Sequence, residues 1–383
     1  MIKASNIVRW LWSSLMLMGL LMLVSCTEDS SNDVPQRVSL HLLSVTRTGD
    51  GHNHLQEGKI RLFITTDNST TSQSGSFDWT TTWEKDADNP VSIKENTQYY
   101  IYGYWPNDNS IVSSSSGITA TSSDLNGDYS KGADLTMSGL PVFSNEDILV
   151  IVGVQKVVQD NQVIDDPHIV ATQGNYGYFS GLADDNYVNL LMDHLYSQLS
   201  LQFCVDKNYY ALRRIHLKTV TLKTTYVAKG EKVTATVNLR AGEGLTDRVS
   251  FPPAPTSVPA EPETYKLLKE GDSDLGTKDY IDLTSEEASS LTVLSNTVYC
   301  PYSIFDTEGT HVSIECTYEV WTPPTTEYPD GMRVRENCSA TNKLKIPGGM
   351  SQGMNKTLKL TIAPTYLYVL ADPDLDNPTI KIN

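Results

Sequence analysis

Basic residues are scarce in this 383-residue chain, which carries 29 Lys and Arg against 46 Asp and Glu for a formal net charge of −17. A chain this acidic is repelled by phosphate backbones and anionic head groups and gains nothing from counterion release. Nucleic acid is excluded as a natural partner, and so is membrane attachment through a basic patch. Cysteine is scarce too: there are five, with no Cys-x-x-Cys pair, so the spacing of a zinc site is missing. No phosphate-binding loop and no dinucleotide fingerprint occurs. Helical signal is weak, because no segment sustains an apolar stripe of 3.6-residue period over three turns.

Long apolar runs are confined to the N-terminus. Lys3 and Arg9 precede an apolar stretch from Trp10 to Val24, which closes on Leu23-Val24-Ser25-Cys26. This is the pattern of a bacterial lipoprotein signal peptide, with a positive region, an apolar region and small residues before the cysteine. The stretch is short for about 30 Å of hydrocarbon. The expectation is cleavage before Cys26, acylation of its thiol, and anchoring of a surface-exposed lipoprotein in the outer membrane through the lipid. Residues 1–25 are then a signal peptide, and their loss removes Lys3 and Arg9 but no acid, taking the net charge from −17 to −19. Residues 26–36 hold Glu28, Asp29 and Asp33 with little to bury, and read as a solvated acidic tether.

The rest reads as strands. Val38 to Leu42, Ile60 to Ile64 and Val233 to Leu239 alternate with period two. Tyr99 to Trp105 is aromatic and stops at Pro106, while Ile148 to Val154 is continuously apolar. Val312 to Trp321 and Met332 to Thr341 flank a Pro- and Gly-containing loop and read as a long hairpin; Thr357 to Ile362, Thr365 to Leu370 and Thr379 to Ile382 close the chain. Asp206 to Arg214 predicts a turn or two of helix, and Thr284 to Ala288 a capped turn. Ser110 to Asp128 and the proline-rich Phe251 to Glu263 read as surface excursions. Many short strands with turns between them predict an all-β chain of two sandwich domains, residues 37–228 and 229–383, divided near Ala228-Lys229-Gly230.

Candidate chemistry is thin. Asp50, His52, His54 and Glu57 share a polar loop, which reads more plainly as a solvated turn than as a zinc site. Asp372, Asp374 and Asp376 have the alternate spacing of a calcium loop but lack its glycine and its distal glutamate; Asp124, Asn126 and Asp128 fail in the same way. No metal site and no cofactor is expected. His194, among apolar residues, reads as a packed histidine rather than a base. The stripe Tyr100, Tyr102 and Tyr104 offers rings for sugars but reads first as a cross-strand ladder over a core. No catalytic constellation emerges, and the chain is not expected to be an enzyme. If Trp321 faces Met332 or Arg333, then Cys316 and Cys338 fall within about one residue of direct opposition, a candidate disulfide with two buried thiols as the alternative.

Four stretches together resemble the fimbrillins, the lipoprotein pilins of type V pili. They are the lipidated cysteine with its acidic tether; Val38 to Arg47 followed by a Gly-rich loop and the strand at Ile60; the alternating Val188 to Leu201 with His194 near its centre; and the tail Leu360 to Leu370. The resemblance implies two tandem transthyretin-like β-sandwich domains. It also implies polymerisation by strand exchange, in which a protease cuts after an arginine, here Arg47, and a strand from another pilin subunit fills the vacated groove by β-strand addition. Tyr366 to Leu370 or Ile380 to Ile382 would be the donor. The resulting expectation is a structural or tip subunit of a surface pilus, supporting adhesion to a host or bacterial surface ligand. The rival expectation is a glycan-binding surface lipoprotein of a nutrient-uptake system.

Overall fold

A computed structural model describes residues 40–47, 57–66, 73–85, 91–106, 119–123, 134–155, 158–159, 162–163, 168–170, 178–183, 186–238, 249–255, 257–305, 309, 311–346, 348–365 and 374–382. In chain order the strands begin with β1 (Leu40–Arg47), β2 (Lys59–Thr65), β3 (Gln73–Trp79), β4 (Trp83–Lys85), β5 (Gln98–Trp105) and β6 (Thr119–Ser123). Next come β7 (Asp134–Pro141), β8 (Leu149–Gln155), β9 (Val158–Gln159), β10 (Gln162–Val163), β11 (Ile169–Val170), β12 (Tyr178–Ser180) and β13 (Asn186–His194). Then follow β14 (Ser197–Val205), helix α1 (Lys207–Leu212), β15 (Arg214–Ala228), β16 (Lys232–Asn238), β17 (Val249–Ser250), β18 (Pro262–Leu268), β19 (Ile281–Asp282), β20 (Thr292–Val293) and β21 (Val298–Cys300). The last are β22 (Val312–Trp321), β23 (Arg333–Lys343), β24 (Asn355–Thr365) and β25 (Asp374–Ile382). The fold is all-β and sandwich-like, as the alternating sequence requires.

The first sheet runs β11-β12-β5-β2-β3-β4-β1-β13-β8, and β8 also pairs with β5, so the path from β5 through β1 to β8 closes on itself. Closure removes exposed edges. The interior of the ring is a core of its own, including Ile60, Leu62, Ile101, Ile151, Val188 and Leu190. These are the inward positions of alternating strands, and β2 shows the pattern directly, with Ile60, Leu62 and Ile64 buried and Lys59, Arg61 and Phe63 partly exposed. The back of β5 carries Tyr102 and Tyr104 into a second core. The tyrosine stripe is thus a buried ladder from Tyr102 onward; Tyr100 emerges beside Tyr178, with ring centres 5.4 Å apart.

That second core fills a sandwich. One layer is β20-β14-β24-β25 with β21, and the facing layer is β18-β15-β22-β23 with β19. Leu199, Leu201 and Phe203 of β14 share this core with Leu217 and Leu222 of β15 and Ile314 of β22. A further sheet, β17-β16-β7-β6, contributes Leu135, Met137, Val233 and Ala235 to it. Strand pairing therefore changes partners between β13 and β14, at Leu195-Tyr196. The turn at Lys229-Gly230, where the sequence reading divides the domains, hands the chain from β15 to β16, and both strands feed the same core. Helix α1 forms where Asp206 caps it, its carboxylate accepting from the amides of Asn208 and Tyr209.

Candidate functional site

The feature that separates β1 from every other strand of the ring is its pairing. It lies parallel to β13 from Leu40↔Asn186 to Arg47↔Met192, with one register shift between Leu42 and Ser44. On its other side a single residue pair, Leu42↔Trp83, joins it to β4. One strand near the chain's start therefore links the two ends of an otherwise continuous sheet. Neighbouring strands lie about 4.8 Å apart, so lifting β1 out opens a slot one strand wide between β4 and β13.

The wall of that slot is apolar on its inner side. Val188, Leu190 and Met192 of β13 point into the ring core, while Tyr187 between Asn186 and Val188 is exposed. Trp83 of β4 is buried, packs edge-on against Trp79 with ring centres 5.4 Å apart, and leaves its Nε1 without a partner. The segment entering β2 is fixed against β5 and β3: the Trp105 Nε1 donates to the Glu57 carbonyl at 3.0 Å, and the Trp79 amide to the Gly58 carbonyl at 2.9 Å. Arg47, the sequence candidate for proteolytic processing, is the last residue of β1. At the other end of the chain, β25 runs antiparallel to β24, pairing Ile382 with Leu360 and Ile380 with Ile362, and it is the outermost strand of its sheet. Ile380 to Ile382, one of the two donor candidates, is thus a peripheral strand. The other, Tyr366 to Leu370, lies outside the described residues.

Cys26 also lies outside the described residues, as do Asp50, His52 and His54; Asp372 and the stretch Asp124 to Asp128 lie outside them as well, and Asp374 and Asp376 belong to β25. Among the described residues no cluster of three or more His, Cys, Asp or Glu could hold a metal. His194 is a packed residue: its Nδ1 lies 2.5 Å from the buried Asp147 Oδ2, and the Gln352 side chain donates to its carbonyl at 2.6 Å. The string Gly349-Met350-Ser351-Gln352-Gly353 has the spacing of a nucleophile elbow. No described strand runs directly into it and no helix follows; the loop passes into β24, and the Ser351 carbonyl accepts from the Ser197 hydroxyl at 2.7 Å. The elbow geometry is absent.

The bridge between Cys316 and Cys338 is not formed; both thiols are reduced and buried. The hairpin does pair Trp321 with Arg333, and a ladder without irregularities would then set Cys316 opposite Cys338. Two register shifts near Val320 slide the strands instead, so Cys316 faces Ala340 and Cys338 faces Tyr318. Asn337, at a φ of 58°, marks the irregularity. Diagonal neighbours are too far apart for the roughly 4 Å between Cβ atoms that a disulfide needs. Burial also pushes the thiol of Cys316 up to about 12 and raises that of Cys300. Thiol reagents at pH 8 should therefore leave Cys204, Cys300, Cys316 and Cys338 unmodified in the folded chain and label all four in denaturant. Rapid native labelling, or a Cys316–Cys338 peptide in a non-reducing map, would contradict this packing.

No family model matches the chain, and no curated protein is similar to it in sequence. Among solved structures it is similar to a fimbrial protein from Bacteroides vulgatus, at 12% identity, with 91% of this chain and 98% of that chain covered and a TM-score of 0.49. It is similar to a candidate cell adhesion protein from Bacteroides uniformis, at 11% identity, 91% and 98% coverage and a TM-score of 0.37. It is also similar to candidate polysaccharide-binding proteins from Bacteroides thetaiotaomicron, at 8% identity, 90% and 96% coverage and a TM-score of 0.34.

Proposed function

We propose that this chain is a structural subunit of a cell-surface pilus, exported as a lipoprotein through Cys26 and assembled by strand exchange after cleavage at Arg47. The observation that carries the proposal is the seat of β1: the first of the described strands, parallel to β13, closing a ring that is otherwise continuous, and ending on Arg47. Removing it bares the backbone edge of β13 and part of the core behind Val188, Leu190 and Met192. Each such side chain contributes about 1.5–3 kcal/mol when fully buried. Losing even part of that is serious for a body whose whole stability is about 5–15 kcal/mol. A strand from another subunit that restores the ladder and refills the slot is strongly favoured by the same terms. Adhesion is then the role of the assembled filament, and the chain itself performs no catalysis. Electron microscopy of cells with and without this chain, with immunogold labelling along filaments, tests the reading; unlabelled filaments of unchanged number would overturn it.

Anchoring has its own test. Acylation contributes about 0.8 kcal/mol per buried methylene, so more than one chain makes attachment stable. Cys26→Ala should abolish palmitate incorporation and move the chain from the membrane fraction to the soluble one. Undiminished labelling of that variant would remove the lipid anchor from the proposal.

A further inference from the structure

Residues 278–282 lie along the edge of the sheet β18-β15-β22-β23, and several independent contacts hold them there. Ile281 pairs with Leu217 and Asp282 with His216, extending the edge that β18 covers further along β15. The Leu283 amide donates to the Ile215 carbonyl at 3.0 Å. Asp279 takes the Lys218 ammonium at 2.9 Å. Lys278 sits 2.8 Å from the Asp282 carboxylate and 5.1 Å from the centre of the Tyr280 ring. Tyr280 lies face to face on the imidazole of His216, with centres 3.9 Å apart and planes 5° apart. Trp321 also packs on His216, at 4.8 Å.

His216 is the centre of this arrangement and is only 4% exposed. Its Nε2 lies 2.6 Å from Asp282 Oδ1, and its Nδ1 is buried with no hydrogen-bond partner. We propose that residues 278–282 form a pH-sensitive clasp, closed over the edge of β15 while His216 is neutral and opened when His216 takes up a proton. A neutral imidazole fits the closed site: Nε2–H donates to Asp282 and Nδ1 carries a lone pair. A second proton must go on Nδ1, which is closed off from solvent and faces no acceptor, and an unmade hydrogen bond on a buried charged group is costly. In the open state the same proton is solvated.

The charged groups around the ring are Lys278, Asp279 and Asp282 on the clasp, Lys218 on β15, Glu319 on β22 and Arg333 on β23, with the phenol of Tyr280 beside them. Burial lowers the affinity of His216 for a proton below the ordinary imidazole value; Asp282, Glu319 and Asp279 oppose that, and Lys278 adds to it. The Lys218 ammonium holds Asp279 below the ordinary carboxylate range. Glu319, which burial acts to raise, is brought below that range by hydrogen bonds from Trp321 and Lys218. These two carboxylates therefore stay ionised between pH 7 and 5. A group whose closed-state affinity is depressed stabilises the closed form above its ordinary value, and that stability is lost as pH falls toward the closed-state value. Acid opens the clasp and bares the backbone of β15 at 215–217.

Hydrogen exchange of the full chain, corrected for the intrinsic pH dependence of exchange, tests this with the Leu283 amide as reporter. Its protection should fall by up to about tenfold per pH unit below roughly 6.5, while amides of β14 hold theirs. His216→Phe keeps a ring between Tyr280 and Trp321 and cannot titrate, so its Leu283 protection should not change with pH. A wild-type chain without the fall, or a fall that persists in His216→Phe, would overturn the clasp. If His216→Phe fails to fold, titration of the wild-type imidazole by NMR decides: a midpoint below about 6.5 supports the proposal and one at or above it refutes it.

Discussion

Cells carrying Arg47→Ala should display no filaments built from this chain, while the lipidated monomer accumulates at wild-type levels. Arg47 closes β1, so a cut after it separates the whole of that strand from the body. It is the only Lys or Arg between Arg37 and Lys59. A cut at Arg37 would leave β1 attached, and Lys59 opens β2, inside the ring. An arginine-directed protease thus has one productive site. The residues after it, Thr48-Gly49-Asp50-Gly51, carry two glycines, which let a chain extend into a protease cleft. The expected size of the effect is near-complete, because an uncut β1 keeps both edges of the slot occupied and leaves no site for a donor strand. Arg47→Lys should restore assembly where the protease accepts lysine. Normal filaments from Arg47→Ala, with residues 38–46 still attached, would show that the chain does not polymerise by losing its first strand.

The strands themselves were legible because burial on one face imposes alternation. Ile60 to Ile64, Tyr99 to Trp105 and Val312 to Trp321 were readable within a residue or so of their ends. Pairing was not legible, since alternation reports which face is buried and not which neighbour lies alongside. The parallel union of β1 with β13 spans more than 130 residues of sequence, and no local signal announces it. The stretch Val188 to Leu201 reads as one alternating segment, yet it is two strands in two sheets. Leu195 and Tyr196 turn the chain between them, with the Leu195 amide donating to the Ile148 carbonyl at 2.8 Å and the Tyr196 hydroxyl to the Pro141 carbonyl. Both residues are apolar and buried, so they carry none of the Gly, Pro or Asn that marks an exposed turn. The cysteine register failed for a related reason, because an irregularity such as that at Asn337 slides a ladder without disturbing its composition. The His216 site was missed outright. His216 lies on β15 on the side away from the main core, and its partners arrive from Tyr280, Asp282 and Trp321, far away in sequence; the Lys278 to Asp282 run, charged at both ends around an aromatic residue, was the one local signal.

Gly103→Ala should destabilise the ring and with it the seat of β1. Gly103 stands in the middle of β5, paired with Leu62 on one side and Ile151 on the other. It is the position at which β5 holds β2 and β8 together and so closes the sheet. A methyl group there would come within 2.0 Å of the Arg61 carbonyl oxygen and 3.1 Å of the Leu62 Cα. The obstacle is backbone, not the end of a flexible side chain, so relief requires β2 to move away from β5. That movement lengthens the hydrogen bonds from Arg61 to Thr65 and loosens Ile60, Leu62 and Ile64, all of them ring core. Overpacking in a closely filled interior costs about 1–3 kcal/mol when side chains give way, and a fixed backbone puts this case at about 3 kcal/mol or more. Urea denaturation followed through the ring tryptophans should show the midpoint fall accordingly, with the largest loss of exchange protection in β2, β5 and β8. Gly230→Ala offers the contrast. Gly230 has a positive φ of 79° but open space around it, so that change costs only the local backbone preference, about 1 kcal/mol. A Gly103→Ala chain as stable as wild type would mean that β2 and β5 are spaced more widely at this point than a closed ring allows.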